Sequence, residues 1–281
     1  MKNVIALDIG GTNTRCALVE PDTYQFIKDK INPTVVGNLD MFLSSVAKVI
    51  DETVTPKEME NVVAISAGVP GRVRWDGYIY ALPNIHIEAI PLAAYLSKRY
   101  NKPVFVRNDA EVAALAEANR GPFAKLHSLY FVTISTGIGG ALTIDGKLVN
   151  SSYEVGHTMA KYHGEIHELE HMASGTGIRK LCEMNRLSVS SSKEFFELVK
   201  NGYEPAKAIY RDWIKMLSEF FLMNQANFEP DVFTLTGGVM KSSDIFLEDL
   251  RLACPGCRIE RCGFDQAAGL VGAAIFGFQN V

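Results

Sequence analysis

The chain has 281 residues, with 28 Lys plus Arg against 32 Asp plus Glu and a formal charge of −4. That balance leaves no basic surplus for neutralising phosphates, which argues against a nucleic-acid partner. Apolar residues make up 47% and charged residues 21%, the composition of a folded chain long enough to hold a large core and two domains. No apolar run reaches the ~18 residues of a membrane span, so no membrane association is expected. The N-terminal MKNVIALDIGG is interrupted by Asp8 and lacks the long apolar segment of a signal peptide. Five cysteines, an odd and modest number, fit reduced thiols in a cytoplasmic protein better than a disulfide framework.

In chain order, Val4 to Leu7 and Cys16 to Val19 are short apolar runs flanking a Gly-Gly turn and are predicted as strands. Phe42, Leu43, Val46, Val49 and Ile50 have helical spacing within a helix predicted from Leu39 to Val54. Val62 to Ile65 reads as a buried strand ahead of the turn Gly68-Val69-Pro70-Gly71. Pro91 to Tyr100 is predicted as a helix with proline in its first turn. Val104 to Val106 is a strand, and Ala110 to Asn119 an Ala-rich helix. Leu129 to Ile134 and Ala141 to Ile144 flank a second glycine turn. From Glu168 to about Asn227 the pattern is mostly helical. A strand at Val232 to Leu235 leads into Gly237-Gly238, then a helix near Ile245 to Leu252 and a closing helix from Ala267 to Phe278.

ALDIGGTNTRCAL and FVTISTGIGGALTI share one pattern, strand, glycine turn, strand. The fold class expected is therefore α/β, with two related domains facing each other across a cleft: 1–117 plus 267–281, and 118–266. Asp8-Ile9-Gly10-Gly11-Thr12 follows a strand directly. Its glycines allow positive φ and let backbone N–H groups approach an anion, and the Thr12 hydroxyl can add a donor. Asp8 at the strand end can face a metal ion or its water; a tight hairpin with an incidental acid is the other reading. Ser135-Thr136-Gly137-Ile138-Gly139-Gly140 and Thr236-Gly237-Gly238 are further strand-to-glycine junctions, and the latter can lie flat against a purine. Three such junctions point to a nucleotide-phosphate site. Asn108-Asp109 opens the helix from Ala110. Aspartate there can cap the helix, or serve as a carboxylate within reach of a hydroxyl proton.

Taken together, Asp-x-Gly-Gly-Thr-x-x-Arg (Asp8 to Arg15), Gly-Val-Pro-Gly (Gly68 to Gly71), Pro83-Asn84, Asn108-Asp109, Thr-Gly-Ile-Gly-Gly (Thr136 to Gly140), Glu-x-Gly-His (Glu154 to His157) and Thr-Gly-Gly (Thr236 to Gly238) resemble the ROK family of sugar kinases. These belong to the actin–hexokinase–Hsp70 superfamily, so the resemblance implies two actin-like, ribonuclease H-like domains. It further implies phosphorylation of a hexose or N-acetylhexosamine, on a primary hydroxyl such as O6, with ATP and Mg²⁺ and usually in homodimers. Asp109 would be the base. Gly71, Asn84, Asn108, Glu154, His157 and Glu170 would bind the sugar. Gly10, Gly11, Thr12, Thr136, Gly137, Gly139, Gly237 and Gly238 would bind nucleotide, with Asp8 near the γ-phosphate and Mg²⁺. Glu170 can also be read as a helix-start acid. A repressor of the same family would need a DNA-binding domain ahead of Asn3, and none is expected. A non-catalytic sugar sensor and a kinase for another small acceptor are the alternatives.

One departure from that family is plain. Its usual Cys-x-Cys-Gly-x-x-Gly-Cys zinc loop has no counterpart, since no cysteine lies between Cys16 and Cys182. Such loss occurs among some N-acetylmannosamine and related kinases, which favours an amino sugar without excluding glucose. Zinc is not expected. His157, His163, His167 and His171 cluster instead, the last three at a spacing of four that would align them on a helix face. They are read as zinc-free, so His157 needs another orienting partner: a backbone carbonyl, a carboxylate such as Glu165 or Glu168, or packing. Cys254, Cys257 and Cys262 are read as reduced structural thiols around a Pro-Gly turn. Trp75, Trp213, Phe195, Phe196, Phe220, Phe221 and Phe228 are read as core or subunit interface.

Overall fold

A computed structural model describes residues 2–149, 154–264 and 267–281. It is mixed α/β, and the chain divides into two compact units: 1–125, 146–152 and 263–281 in one, 126–145 and 153–262 in the other.

In the first unit, β1 (Asn3–Ile9), β2 (Asn13–Val19) and β3 (Phe26–Pro33) form an antiparallel meander. Helices α1 (Leu39–Thr53) and α2 (Pro56–Met59) lead to β4 (Val62–Val69), which pairs parallel with β1. A small hairpin of β5 (Ile79–Leu82) and β6 (Ile87–Ile90) and helix α3 (Leu92–Tyr100) precede β7 (Val104–Asn108), parallel to β4, and α4 (Asp109–Arg120). The sheet order is β3-β2-β1-β4-β7. Helix α1 starts where the Asn38 side chain accepts the Met41 N–H, and it buries Phe42, Leu43, Val46, Val49 and Ile50 in one apolar cluster with Cys16 and Leu18 of β2 and Ile5, Leu7 and Ile9 of β1. The other sheet face carries Ala6 and Ala17, small enough for the closing helix to lie against them.

The second unit begins with the antiparallel pair β8 (Ser128–Ile134) and β9 (Ile138–Ile144). The short β10 (Lys147–Leu148) follows, in the 146–152 segment that belongs to the first unit. Next comes a hairpin of β11 (Met159–Tyr162) and β12 (Glu165–Glu168), then α5 (Leu169–Ala173), α6 (Gly175–Met184), α7 (Ser192–Lys200) and α8 (Glu204–Phe228). Strand β13 (Val232–Thr236) pairs parallel with β8, helix α9 (Ser243–Ala253) follows, and β14 (Ile259–Arg261) pairs parallel with β13. Within this unit the strands run β9-β8-β13-β14, the same antiparallel-then-parallel order as β2-β1-β4-β7. Trp213 is fully buried, with the rings of Phe196 and Phe246 at 5.2 and 5.0 Å, and its indole N–H donates to the Ala173 carbonyl at 3.0 Å. The chain ends in α10 (Ala268–Gln279), back in the first unit.

Several sequence expectations change. The first-unit boundary expected at 117 falls inside α4, whose buried Glu117 accepts the backbone N–H groups of Gly263 and Phe264; the compact unit runs to 125 and resumes at 263. The histidine segment is not a helix. His163 and Gly164 have φ of 48° and 89° between the paired Tyr162 and Glu165, a two-residue hairpin turn of the kind whose twist matches the strands. His163, His167 and His171 therefore sit on a turn, a strand and a helix. Strand β3 has no apolar alternation to betray it, because six of its eight residues are exposed or nearly so on a sheet edge. Among the aromatic residues, Trp75 and Phe228 remain exposed while Trp213, Phe195, Phe196, Phe220 and Phe221 are buried.

Helix α10 approaches α4 through Gly272. A Cβ there would lie on the Val112 carbonyl, far inside van der Waals contact, and backbone cannot move aside as a flexible side chain can. Gly272→Ala is expected to destabilise the protein by about 3 kcal/mol or more, at the upper end of overpacking costs. Urea unfolding, with the change appearing in the midpoint rather than the slope, checks this.

Candidate active site

The first unit gathers one set of the expected residues around the C-terminal ends of β1, β4 and β7. The β1–β2 turn is closed by a 2.8 Å bond from the Gly10 N–H to the Asn13 carbonyl. Asp8, Gly10, Gly11, Thr12, Asn13 and Arg15 line an open hollow of about 400 Å³. Gly10 and Gly11 do not occupy positive φ, contrary to the sequence expectation. Gly11 is required for clearance: a Cβ would stand 3.0 Å from Cβ of Asn84, which sits in the 3₁₀ turn Pro83–Ile85. Asp8 pairs across the strands with Arg15, and burial pushes its carboxyl above the usual range, only partly countered by the Arg15 charge. Gly269 in the first turn of α10 lies so close that its Cβ would be 2.6 Å from the Asp8 carboxyl carbon.

Asn108 and Asp109 divide two tasks between them. Asn108 is the cap of α4: its Oδ1 accepts the Ala110 N–H at 2.8 Å, and its own N–H donates to Glu111 Oε2 at 3.0 Å in a capping box. The Asn108 amide also donates to the Gly71 carbonyl at 2.9 Å, which ties the Gly68–Gly71 turn to the end of β7. Capping therefore falls to Asn108, and Asp109 is the first helical residue, exposed, with Oδ1 accepting the Ala110 N–H at 2.8 Å. Next to this pair, Arg107 is buried beneath Trp75, with its guanidinium 3.7 Å from that ring and bonded to the Arg74 and Trp75 carbonyls.

The second unit gathers the rest. Ser135 N–H donates to the Gly137 carbonyl at 2.8 Å to close the β8–β9 turn, and Ser135 Oγ accepts the Gly238 N–H at 3.1 Å. This joins the second and third glycine junctions. Ser135, Thr136, Gly175, Thr176, Arg179 and Gly238 are among the residues lining a hollow of about 320 Å³. Gly237 is the junction glycine at positive φ, 103°, and Gly238 has nothing within 4 Å of where a Cβ would be. The Gly238 backbone is thus open to a flat ligand, whereas Gly139 lies within β9, paired with Thr133.

Glu170, in α5, is boxed in. Its Oε2 accepts the Ile138 N–H at 3.3 Å, and side chains at Gly137 or Gly156 would put a Cβ 2.6 or 2.9 Å from that oxygen. Glu154 opens the 3₁₀ turn Val155–His157, and its carbonyl accepts the His157 N–H at 3.0 Å. His157 Nδ1 lies 3.0 Å from Glu168 Oε2. Ligating atoms of His157, Glu168 and Glu170 fall within 4.8 Å of one another. They supply three of the four ligands a structural zinc wants, and each carboxylate already accepts a hydrogen bond or faces the ring.

The sequence assigns no site role to Thr176, which it shows only as part of the stretch after Glu170, nor to Arg179, and it does not reveal the Gly269 contact. The first two lie on α6, which pattern alone places but does not aim. Gly269 is visible in the sequence only as one more small residue in AAGLVGAA. Burial raises the thiols of Cys16, Cys182 and Cys254 to about 12, as for inert buried cysteines, and Cys257 is raised too.

A family-wide sequence profile described as the ROK family matches residues 4–277, and the chain belongs to that family. It is similar to N-acetylmannosamine kinase from Vibrio cholerae, 28% identical over 252 residues that make up 84% of this chain and 83% of the relative. Among solved structures it resembles the ROK hexokinase from Thermus thermophilus, 24% identical with a TM-score of 0.83 over 99% of this chain and 98% of that one. It also resembles a ROK family glucokinase from Streptomyces griseus in complex with glucose and AMPPNP, 22% identical with a TM-score of 0.71 over 99% and 100% of the two chains. The two-unit, actin-like α/β fold is shared with these structures.

Asp8 carries a cost that can be measured. Its folded pKa lies above the ordinary aspartate value of about 3.9, so the native state holds more protons there than the unfolded chain. Stability must then fall as pH rises from that value through the raised one. Asp8→Asn is expected to stabilise the ligand-free protein at neutral pH and to remove this decline; urea midpoints of both proteins between pH 3 and 7 provide the check.

Proposed function

We propose that the protein transfers the γ-phosphoryl group of ATP to a hydroxyl of a hexose or N-acetylhexosamine, with Asp109 as general base. The observation that carries this reading is the division of labour at the end of β7. Asn108 closes the capping box of α4 and bonds the Gly71 carbonyl, and the adjacent Asp109 carboxylate, one oxygen of which also accepts the Ala110 N–H, is exposed on a rigid helix start. The family assignment and the named activities of similar proteins support the same class.

The step assigned to Asp109 is simple in its balance. The sugar oxygen bonds to the γ-phosphorus while the bond from that phosphorus to the β–γ bridging oxygen breaks, and ADP leaves. The hydroxyl proton passes to the Asp109 carboxylate. A primary hydroxyl, O6, is the acceptor we favour, being the least hindered on a hexopyranose. In the second unit, Glu154, His157 and Glu170 bind the other hydroxyls, and Asn84, Asn108 and Gly71 add contacts in the first. Backbone N–H groups at Gly10–Thr12 and Thr136–Gly137 hold phosphate oxygens, and the Gly237–Gly238 junction carries the adenine.

Mg²⁺ would supply charge neutralisation of the phosphates when bound. One strand-end carboxylate beside a threonine hydroxyl suits an ion that keeps several waters and takes its remaining oxygens from substrate, and Asp8 with Thr12 provides that set. Homodimer formation and a cytoplasmic setting belong to the same proposal. Among the described residues no helix is long and apolar enough to cross a membrane.

Asp109→Asn is expected to lower kcat by roughly 10²–10⁴-fold with little change in the sugar dissociation constant. Near-normal turnover in this variant would remove Asp109 from the base role. Phosphorus NMR of the product, split by the two protons of a CH₂ group if O6 is the acceptor, tests the position of transfer.

A further inference from the structure

Glu168 stands where β12 passes into α5, and its placement relative to His157 is set by backbone. Met159 pairs with Glu168 across the hairpin, and the Leu169 N–H donates to the Thr158 carbonyl at 2.7 Å. These two links fall on the two residues that follow His157 and tie them to Glu168 and its neighbour, so the backbone brings the two side chains together. Glu168 Oε2 then lies 3.0 Å from His157 Nδ1 and 3.5 Å from His171 Nδ1. The contact to His157 is the shorter of the two, so His157 is the ring nearer the carboxylate.

The chemistry of the pair gives the imidazole a direction. A carboxylate oxygen with no proton can only accept, so a ring nitrogen facing it at 3.0 Å is favoured as Nδ1–H. In the neutral ring the other nitrogen, Nε2, is then left with a lone pair and no proton. A metal at Nδ1 would do the opposite, taking the lone pair there and leaving Nε2 as a donor. Replacing a metal by a carboxylate behind the same histidine thus inverts what that histidine offers to a ligand.

We infer that Glu168 is a positioning residue that holds His157 in the Nδ1–H form, so that Nε2 accepts a hydrogen bond from one hydroxyl of the sugar. The sugar as ligand rests on the function proposed above; the ring state does not. With Glu154 and Glu170 also acceptors, the second unit presents the sugar with an all-acceptor set. Its preferred ligands are those that donate at each of these positions, hydroxyls or an acetamido N–H. Replacing the hydroxyl that meets His157 by fluorine or methoxy, which can only accept, removes binding.

The test uses the full chain labelled with ¹⁵N-histidine, at a pH where the rings are neutral. His157 is assigned among the six histidines by its absence in His157→Gln. Long-range proton–nitrogen spectra are expected to show a protonated Nδ1 and an unprotonated Nε2 in the wild type. Glu168→Ala should shift the ring toward the Nε2–H form, and Glu168→Gln, whose amide oxygen still accepts, should keep the wild-type pattern. With glucose and N-acetylmannosamine as probes, Glu168→Ala should raise the KM of whichever sugar is turned over by roughly 10-fold, the scale of losing a partner behind a functional histidine, and leave the KM for ATP unchanged. Glu168→Gln should recover most of that loss. A wild-type ring carrying its proton on Nε2, an identical pattern in Glu168→Ala, an unaltered sugar KM, or one zinc per chain bound through His157 would each overturn the inference. Absence of turnover with any hexose would instead contradict the kinase reading, and the ring state would still be decided by the spectra.

Discussion

The carboxylate of Glu170 sets how closely three segments of the second unit can approach one another. It accepts the Ile138 N–H just past the β8–β9 turn and fills the space that side chains at 137 and 156 would need. The turn, the 3₁₀ segment bearing Glu154 and His157, and helix α5 therefore share one contact. Helix α5 is itself anchored by the indole of Trp213 on the Ala173 carbonyl. Replacing any of these residues moves the others, because a hydrogen-bonded carboxylate between two backbones has no room in which to relax. The glycines of this site serve clearance more than backbone freedom. Gly11, Gly137 and Gly156 all have ordinary φ, and each faces a polar side chain that needs the missing methyl group's space. At Gly237, by contrast, a positive φ coincides with a tight approach to the Ile134 backbone.

The two units solve one problem twice. In each, an antiparallel hairpin ends in a polar turn, and parallel strands beside it bring further loops to the same edge of the sheet. Strand ends of open α/β sheets are where backbone donors and side chains converge on a ligand. The first unit uses its edge for Asp8, Gly10, Gly11 and the Asn108–Asp109 pair. The second uses its edge for Ser135, Thr136, Gly238 and Glu170. Burial is costly at Asp8, whose carboxyl is held above its ordinary range, with the α10 glycine against it.

The repeated hairpin was legible in the sequence because its apolar runs are short, buried and punctuated by glycine: β1, β2, β8 and β9 lie where ALDIGGTNTRCAL and FVTISTGIGGALTI place them. Helix α1 was legible from a stripe that does face the core. Strand β3 was not, since an exposed edge strand needs no apolar alternation, and β11–β12 was hidden because its turn residues, His163 and Gly164, were weighed as ligands and a helix breaker. The spacing of four among histidines 163, 167 and 171 suggested a helix face that the I′-like turn rules out. At the candidate site, residue types and order singled out loops that lie at strand ends in each unit. What they did not show was which neighbour takes which hydrogen bond. Whether Asn108 or Asp109 capped α4, and whether Glu165 or Glu168 stood behind His157, depended on angles of tertiary approach that no local pattern encodes.

The function proposed for these residues is phosphorylation of a sugar with ATP. ADP release by the purified protein, followed with Mg²⁺ and ATP across glucose, N-acetylglucosamine, N-acetylmannosamine and mannose, tests it most directly. Release is expected to depend on one or a few of these sugars and to match the formation of phosphorylated sugar mole for mole. ADP release that no sugar increases, or that continues at the same rate without sugar, would contradict it.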